Sequence, residues 1–286
     1  MRAHLSRFAL AVLIGSLGSG AVRADAGGGA DAHYRTAVAL KEQGKTDEAI
    51  RELELAVVDR PTHFMAWNSL GILYKKRGDL PKAIDAFEHA VKLQPNDAIA
   101  SANLGMAYYR AGREDEALRT LEVAARLDPK DADVQANLGT LKKGKGDLAG
   151  AAMNLERARD LRPDDAQILS NLGNVYAKQK RLDEALAAHR KAVALHPENA
   201  GFHFNLGATL RRRGDADAAL AEYKEAVRLD ARHADAWYDL GILYRQNRDN
   251  ANAIAAFQRY LELTRGKDHA ADQRVEEDIR ALGAGK

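Results

Sequence analysis

The sequence predicts an all-α fold, built as a linear array of stacked helical hairpins. Three observations carry this. Five of the six prolines, Pro61, Pro95, Pro129, Pro163 and Pro197, stand 34 residues apart. The pairs Leu70-Gly71, Leu104-Gly105, Leu138-Gly139, Leu172-Gly173, Leu206-Gly207 and Leu240-Gly241 keep the same step. Within each step, apolar residues fall at helical spacing in two separate stretches. A fixed period of this length marks a repeat architecture, in which a unit too small to stand alone is stabilised by its neighbours.

The stretch Phe64–Asp97 shows the unit most clearly. With Phe64 as position 1, Trp67, Leu70, Gly71 and Tyr74 occupy positions 4, 7, 8 and 11, one face of a helix. Gly78 and Asp79 end this helix and start the next. Pro81 sits in the first turn of the second helix, where a missing N–H costs nothing. Ala83, Phe87 and Ala90, at positions 20, 24 and 27, make the second apolar face. Small residues at 8, 20 and 27 let the helices approach, while Trp67, Tyr74 and Phe87 fill the space.

In chain order, residues 1–26 precede the array. A basic start (Arg2, Arg7), the apolar run Phe8–Ile14 and the small-residue pattern ending at Ala24 or Ala26 predict a secretory signal peptide. The apolar run is short for a membrane span. Residues 27–29, three glycines, are expected to be a flexible joint. Seven repeats follow: 30–63, 64–97, 98–131, 132–165, 166–199, 200–233 and 234–267. The first is a weak copy, with Ala37 and Leu40 at positions 8 and 11, as terminal repeats tend to be. The fourth departs most among the inner copies: Lys142 replaces the aromatic at position 11, and Gly144 and Gly146 follow it. It is therefore expected to be the weakest inner unit. In the fifth, Lys180 replaces the turn glycine and His189 stands at position 24. Residues 268–286 leave the repeat: Val275, Ile279 and Leu282 at i, i+4, i+7 amid charged residues predict a polar capping helix.

Composition bounds the function. With no cysteine, disulfides, Fe–S clusters and Cys zinc sites are excluded. The formal charge is +2, and removing Arg2, Arg7 and Arg23 leaves −1, which argues against nucleic acid as a general partner. The segment Gly144–Gly150 is glycine-rich but lies at a helix–helix turn with no strand before it, so it is not a phosphate loop. No His-Glu-x-x-His pair is present, and His189, His196 and His203 occupy different repeat contexts. No cofactor, metal site or catalytic constellation is expected.

Seven copies in register resemble the tetratricopeptide repeat (TPR) family over residues 30–286. The resemblance implies a right-handed superhelical solenoid of seven TPR helical hairpins plus a C-terminal capping helix. It also implies a concave face lined by first helices, a non-catalytic role, and a groove that holds peptides or protein partners. The groove would then expose positions 2, 6, 9 and 13. Position 6 carries Asn103, Asn137, Asn171 and Asn205, and position 13 carries Lys76, Arg110, Lys178 and Arg212, with Lys75, Lys143, Arg211 and Arg245 nearby. Asparagine is a poor mid-helix residue. Its amide can pair with the backbone of any extended chain, and the column is similar to the asparagine ladder of O-linked N-acetylglucosamine transferases. Two readings stay open: ligand contact, or bonds to a neighbouring helix. The basic column likewise either binds acidic segments or opposes the helix dipole. A carboxylate clamp of the chaperone-binding type needs lysine at position 5, and none is present there.

The expectation is an exported, periplasmic scaffold or adaptor of a bacterial envelope. It has a protein or peptide partner, no nucleic acid, and no integral span after signal cleavage. The alternative is an accessory subunit that recruits substrate to a separate envelope enzyme or export machine.

Overall fold

The computed structural model describes residues 28–284. The expected signal peptide at 1–26 lies outside the described residues, as does Gly27. Fifteen helices and no strand are present among the described residues. The hairpins are α1 (Gly28–Glu42) with α2 (Thr46–Asp59), α3 (Phe64–Arg77) with α4 (Leu80–Leu93), and α5 (Ala98–Arg110) with α6 (Glu114–Leu127). Next come α7 (Ala132–Gly144) with α8 (Leu148–Leu161) and α9 (Ala166–Lys178) with α10 (Leu182–Leu195). The last two are α11 (Ala200–Arg213) with α12 (Ala216–Leu229) and α13 (Ala234–Gln246) with α14 (Asn250–Thr264), and α15 (His269–Ala284) follows.

Local chemistry sets these boundaries. Position 15 adopts a left-handed backbone in every hairpin, with glycine in five of them (φ 73 to 95°) and Lys180 (φ 64°) and Arg248 (φ 60°) in the other two. That conformation suits glycine and strains a side chain. Asp97, Asp131 and Asp165 cap α5, α7 and α9 by accepting backbone N–H bonds. The glycine joint expected at 27–29 is corrected at Gly28 and Gly29, which form the first turn of α1. A Cβ on Gly29 would lie 2.7 Å from the Asp59 carboxylate, so the absence of a side chain there permits close approach to the end of α2.

Each first helix packs on its own hairpin partner, and each second helix packs on the next first helix. First helices also meet directly, α3 with α5, α7 with α9, and α9 with α11. They therefore line the inner side of the curve. Inside each inner hairpin the position-8 glycine meets the position-24 side chain. A Cβ on Gly71 would stand 2.5 Å from the Phe87 ring, and the same holds for Gly241 and Phe257.

Two further sets of bonds are keyed to the repeat. Position 4 carries an N–H that reaches a carbonyl six residues back: Trp67 to Pro61 (2.8 Å), Gln135 to Pro129 (3.4 Å), His203 to Pro197 (2.9 Å) and Trp237 to Ala231 (3.1 Å). Position 4 is also matched to position 23 of the same hairpin. His33 pairs with Glu52 (2.6 Å), Gln135 with Asn154 (2.7 Å) and His203 with Glu222 (2.7 Å). Where Trp67 and Trp237 stand at position 4, Ala86 and Ala256 leave them room.

Between hairpins, the position-11 tyrosine donates to a glutamate of the preceding unit: Tyr74 to Glu54 (2.5 Å), Tyr108 to Glu88 (2.6 Å) and Tyr176 to Glu156 (2.8 Å). Lys142 keeps this bridge in ionic form, 3.6 Å from Glu122 and largely covered. Its substitution therefore leaves no hole, and Gly146, being the left-handed turn residue, carries no penalty.

The fourth hairpin is still expected to be the weakest inner unit, for a different reason. One apolar cluster runs from α1 to Leu141 of α7, and another begins at Ala151 of α8. Between them lies the buried Gln135–Asn154 pair, whose Asn154 Oδ1 has no partner. Unpartnered buried polar atoms occur in the other inner hairpins as well, so it is the break between the two apolar clusters that sets this hairpin apart. Amide exchange in residues 132–165 is therefore expected to be about tenfold faster than in the other inner hairpins. Equal protection across hairpins two to six would refute it.

Candidate functional site

The predicted groove residues share the inner helices. Ile99, Asn103, Met106 and Arg110 run as one stripe along α5, at i, i+4, i+7 and i+11. Equivalent stripes are Met65, Ser69, Ile72, Lys76 on α3 and Gln167, Asn171, Asn174, Lys178 on α9. Asn103, Asn137, Asn171 and Asn205 are all half-buried, whereas Lys76, Arg110, Lys178 and Arg212 are exposed. Both columns therefore lie on one surface.

The asparagines do not behave alike. Asn205 donates to Ser170 Oγ of the preceding hairpin (3.0 Å). Asn171 accepts from Gln167 within its own helix (3.3 Å). Asn103 accepts from Lys75 Nζ of the preceding hairpin (3.4 Å). Asn137 has no such side-chain bond among the described residues. None of these bonds uses the full capacity of the amide, which has two donors and an acceptor.

The position-12 cations were noted in the sequence only as neighbours of the position-13 column. The structure separates them into two kinds. Arg211 pairs with Asp239 of the next hairpin (3.3 Å), and Arg245 pairs with Asp278 of α15 (2.7 Å). Lys75 and Lys143 are half-buried and have no ion pair among the described residues. Burial holds both below the usual lysine range, and a like charge adds to it, Arg110 beside Lys75 and Lys178 beside Lys143. No periodicity in apolar residues marks this difference. The signal was the residue at position 6 of the following repeat: Asn103 for Lys75 and Asp239 for Arg211.

The histidines serve the scaffold. His203 is buried between Glu222 and the Pro197 carbonyl. His196 bonds Glu198 at the surface (3.0 Å). His189 is fully buried, and neither ring nitrogen has a partner. No group of three or more His, Cys, Asp or Glu side chains converges as a metal site among the described residues. No described helix is long and apolar enough to cross a membrane. A cleft of about 550 Å³ lies at the C-terminal end, lined by Tyr238, Arg245, Tyr260, Val275 and Asp278, outside the asparagine column.

Residues 3–237 match the family model for the C-terminal domain of cilia and flagella-associated protein 70, a tetratricopeptide repeat region. Residues 234–266 match a tetratricopeptide repeat model. Among curated proteins there is no match. Among solved structures the chain is similar to MamA from Desulfovibrio magneticus, at 26% identity over 60% of this chain and 97% of that one, with TM-score 0.55. It is similar to YrrB, described as a TPR protein with an unusual peptide-binding site, at 24% identity over 68% of this chain and 100% of that one, with TM-score 0.55. A tetratricopeptide repeat protein from Parabacteroides merdae shares the fold at 12% identity over 89% of this chain and 98% of that one, with TM-score 0.65.

Proposed function

The chain belongs to the tetratricopeptide repeat family, whose members are generally non-catalytic scaffolds for protein–protein interaction, and we propose that it holds an extended peptide of an envelope protein in its concave groove. The supporting observation is the shared surface of Asn103, Asn137, Asn171 and Asn205 with Lys76, Arg110, Lys178 and Arg212 on the inner helices. Amides on a common pitch can follow the amides of an extended chain, whatever its side chains. The cations add attraction for acidic segments and faster association at low salt. The basic, apolar and small-residue order of residues 1–26 supports export, with a bacterial periplasm as the destination. The relative described as having an unusual peptide-binding site supports the peptide reading by likeness of fold.

The test uses protein recovered from the periplasmic fraction, with its N terminus sequenced and expected at Asp25 or Gly27. Peptides selected on this protein from a displayed random library are titrated by calorimetry. Replacing all four asparagines by alanine is expected to preserve helicity, since alanine is the better helix former. Affinity is expected to fall by about 1 kcal/mol per lost hydrogen bond. Unchanged affinity with unchanged fold would move the binding surface to the second helices, and an intact Met1 in the cytosol would remove export.

A further inference from the structure

The fifth hairpin breaks the matching of positions 4 and 23. In the second and seventh hairpins an alanine at position 23 goes with a tryptophan at position 4. Trp67 uses the room that Ala86 leaves. It stacks on His89 at position 26, with ring centroids 4.2 Å apart and 12° between the planes, and donates to the Pro61 carbonyl. The fifth hairpin keeps the alanine, Ala188, but carries Leu169 at position 4. Leu169 packs into a cluster with Ala166, Ala192 and, from the next hairpin, Phe202. It has no side-chain N–H, so the Pro163 carbonyl lacks the donor that Trp67 gives Pro61. A cleft of about 300 Å³ is left on the outer side of the array, between α8 and α10. Leu169, Leu172, Tyr176 and Ala188 are its buried floor, and the half-buried Arg159 and exposed Lys191 stand at its rim.

We propose that this cleft takes a tryptophan side chain of a partner protein, supplied from outside where the second and seventh hairpins supply their own. It is a second contact surface, on the second helices and separate from the asparagine column. The cleft is at the small end for a ligand site, which suits one side chain. An apolar floor with a polar edge suits an indole, which is apolar except for its N–H. Lys191 holds the place of His89, so its ammonium can lie on the face of an incoming ring. The Pro163 carbonyl is the counterpart of the acceptor that Trp67 uses. The charges at the rim are already paired: Arg159 with Asp160 (2.8 Å), Lys191 with Asp164 (3.0 Å) and Glu184 with Arg181 (2.7 Å). They leave nothing to neutralise the ammonium and carboxylate of a free amino acid, and a tryptophan within a chain carries neither. The corresponding cleft of the fourth hairpin, about 400 Å³, does not fit the same ligand. Its positions 4 and 23 hold the Gln135–Asn154 pair, and its Pro129 carbonyl already accepts from Gln135 (3.4 Å) and Arg157 (3.1 Å).

The probe is N-acetyltryptophanamide, titrated into the isotope-labelled whole chain while backbone amide shifts are followed by NMR. Shifts are expected in α9, α10 and the end of α8. Leu169→Trp rebuilds the arrangement of the second hairpin and fills the cleft from within. It is expected to weaken the probe by about tenfold or more. Lys191→Glu, at an exposed position, removes the cation from the ring face and is expected to weaken the probe by about threefold. Circular dichroism checks the fold of both variants, and Lys191→Glu alone decides if Leu169→Trp does not fold. Replacing the four groove asparagines by alanine is expected to leave this binding unchanged, so the cleft and the groove reading stand or fall separately. Absence of shifts in these helices, or shifts indifferent to both cleft variants, would overturn the site. Loss of the shifts in the asparagine variant would place the probe in the groove and overturn it too. Free tryptophan or indole binding as tightly as the amide would overturn the protein partner as the source of the ring.

Discussion

Phe87→Ala is expected to lower the stability of the second hairpin by about 3–5 kcal/mol, the range for deleting a buried aromatic side chain. Phe87 is fully buried and faces Gly71, whose missing side chain makes room for the ring. The cavity cannot collapse easily, because the residues around it are already small: Ala83, Ala86 and Ala90 are buried and cannot lengthen to fill it. In an array, stability is summed over units and interfaces, so the loss should appear first in local opening. Amide exchange in α3 and α4 is the direct measurement, with urea melts beside it. A loss under about 1 kcal/mol would mean that α3 and α4 close onto each other, and the glycine–aromatic contact would then be incidental.

His189 is expected to make the fifth hairpin acid-sensitive. It occupies the position held by Phe87, Leu121, Leu155, Tyr223 and Phe257 in the other inner and C-terminal units. It is fully buried without a hydrogen-bond partner, and burial pushes its pKa down to about 4. The sign follows from which state binds the proton. Above the ordinary value near 6.5 the ring is neutral in both states, and stability does not depend on it. Below that value the unfolded ring takes a proton that the folded core refuses, so stability falls as pH falls. By pH 4 the loss is about 3 kcal/mol. His189→Phe should abolish this component. The measurement is the difference in unfolding free energy between the two proteins from pH 7 to pH 4, which cancels the common titration of carboxylates. A difference independent of pH would refute the assignment.

The repeat phase, the helix positions, the left-handed turns and the core positions were legible because they rest on periodic apolar and glycine placement, which one chain repeats seven times. Lys180 in place of the turn glycine was visible in the same way. The Lys142–Glu122 bridge was not, since position 25 lies on a different helix and carries a glutamate whose partner is set by stacking. The same limit hid the matched pairs His33–Glu52, Gln135–Asn154 and His203–Glu222. Polar residues that pair 19 positions apart carry no apolar period. The columns could be drawn from the helix wheel, and the family resemblance put that face in the groove. Which lysines stay uncompensated could not, because that depends on which residue of the next helix meets each ammonium.

The matched pairs at positions 4 and 23 give the gene a preferred phase of recombination. A crossover in the loop after a second helix, for example at Pro95, moves each imidazole together with its carboxylate and each indole together with its alanine. A crossover at the Gly78 turn would not. Joining α3 to α12 would set Trp67 against Glu222, and joining α11 to α4 would leave His203 facing Ala86. The first crowds an indole onto a half-buried carboxylate that has lost its partner, and the second leaves a buried imidazole with its bond to the Pro197 carbonyl alone, so both hybrids would lose a matched contact. Duplications and deletions of whole hairpins, cut in the loops between them, keep these pairs intact, and the 34-residue spacing of five prolines marks five of those seams.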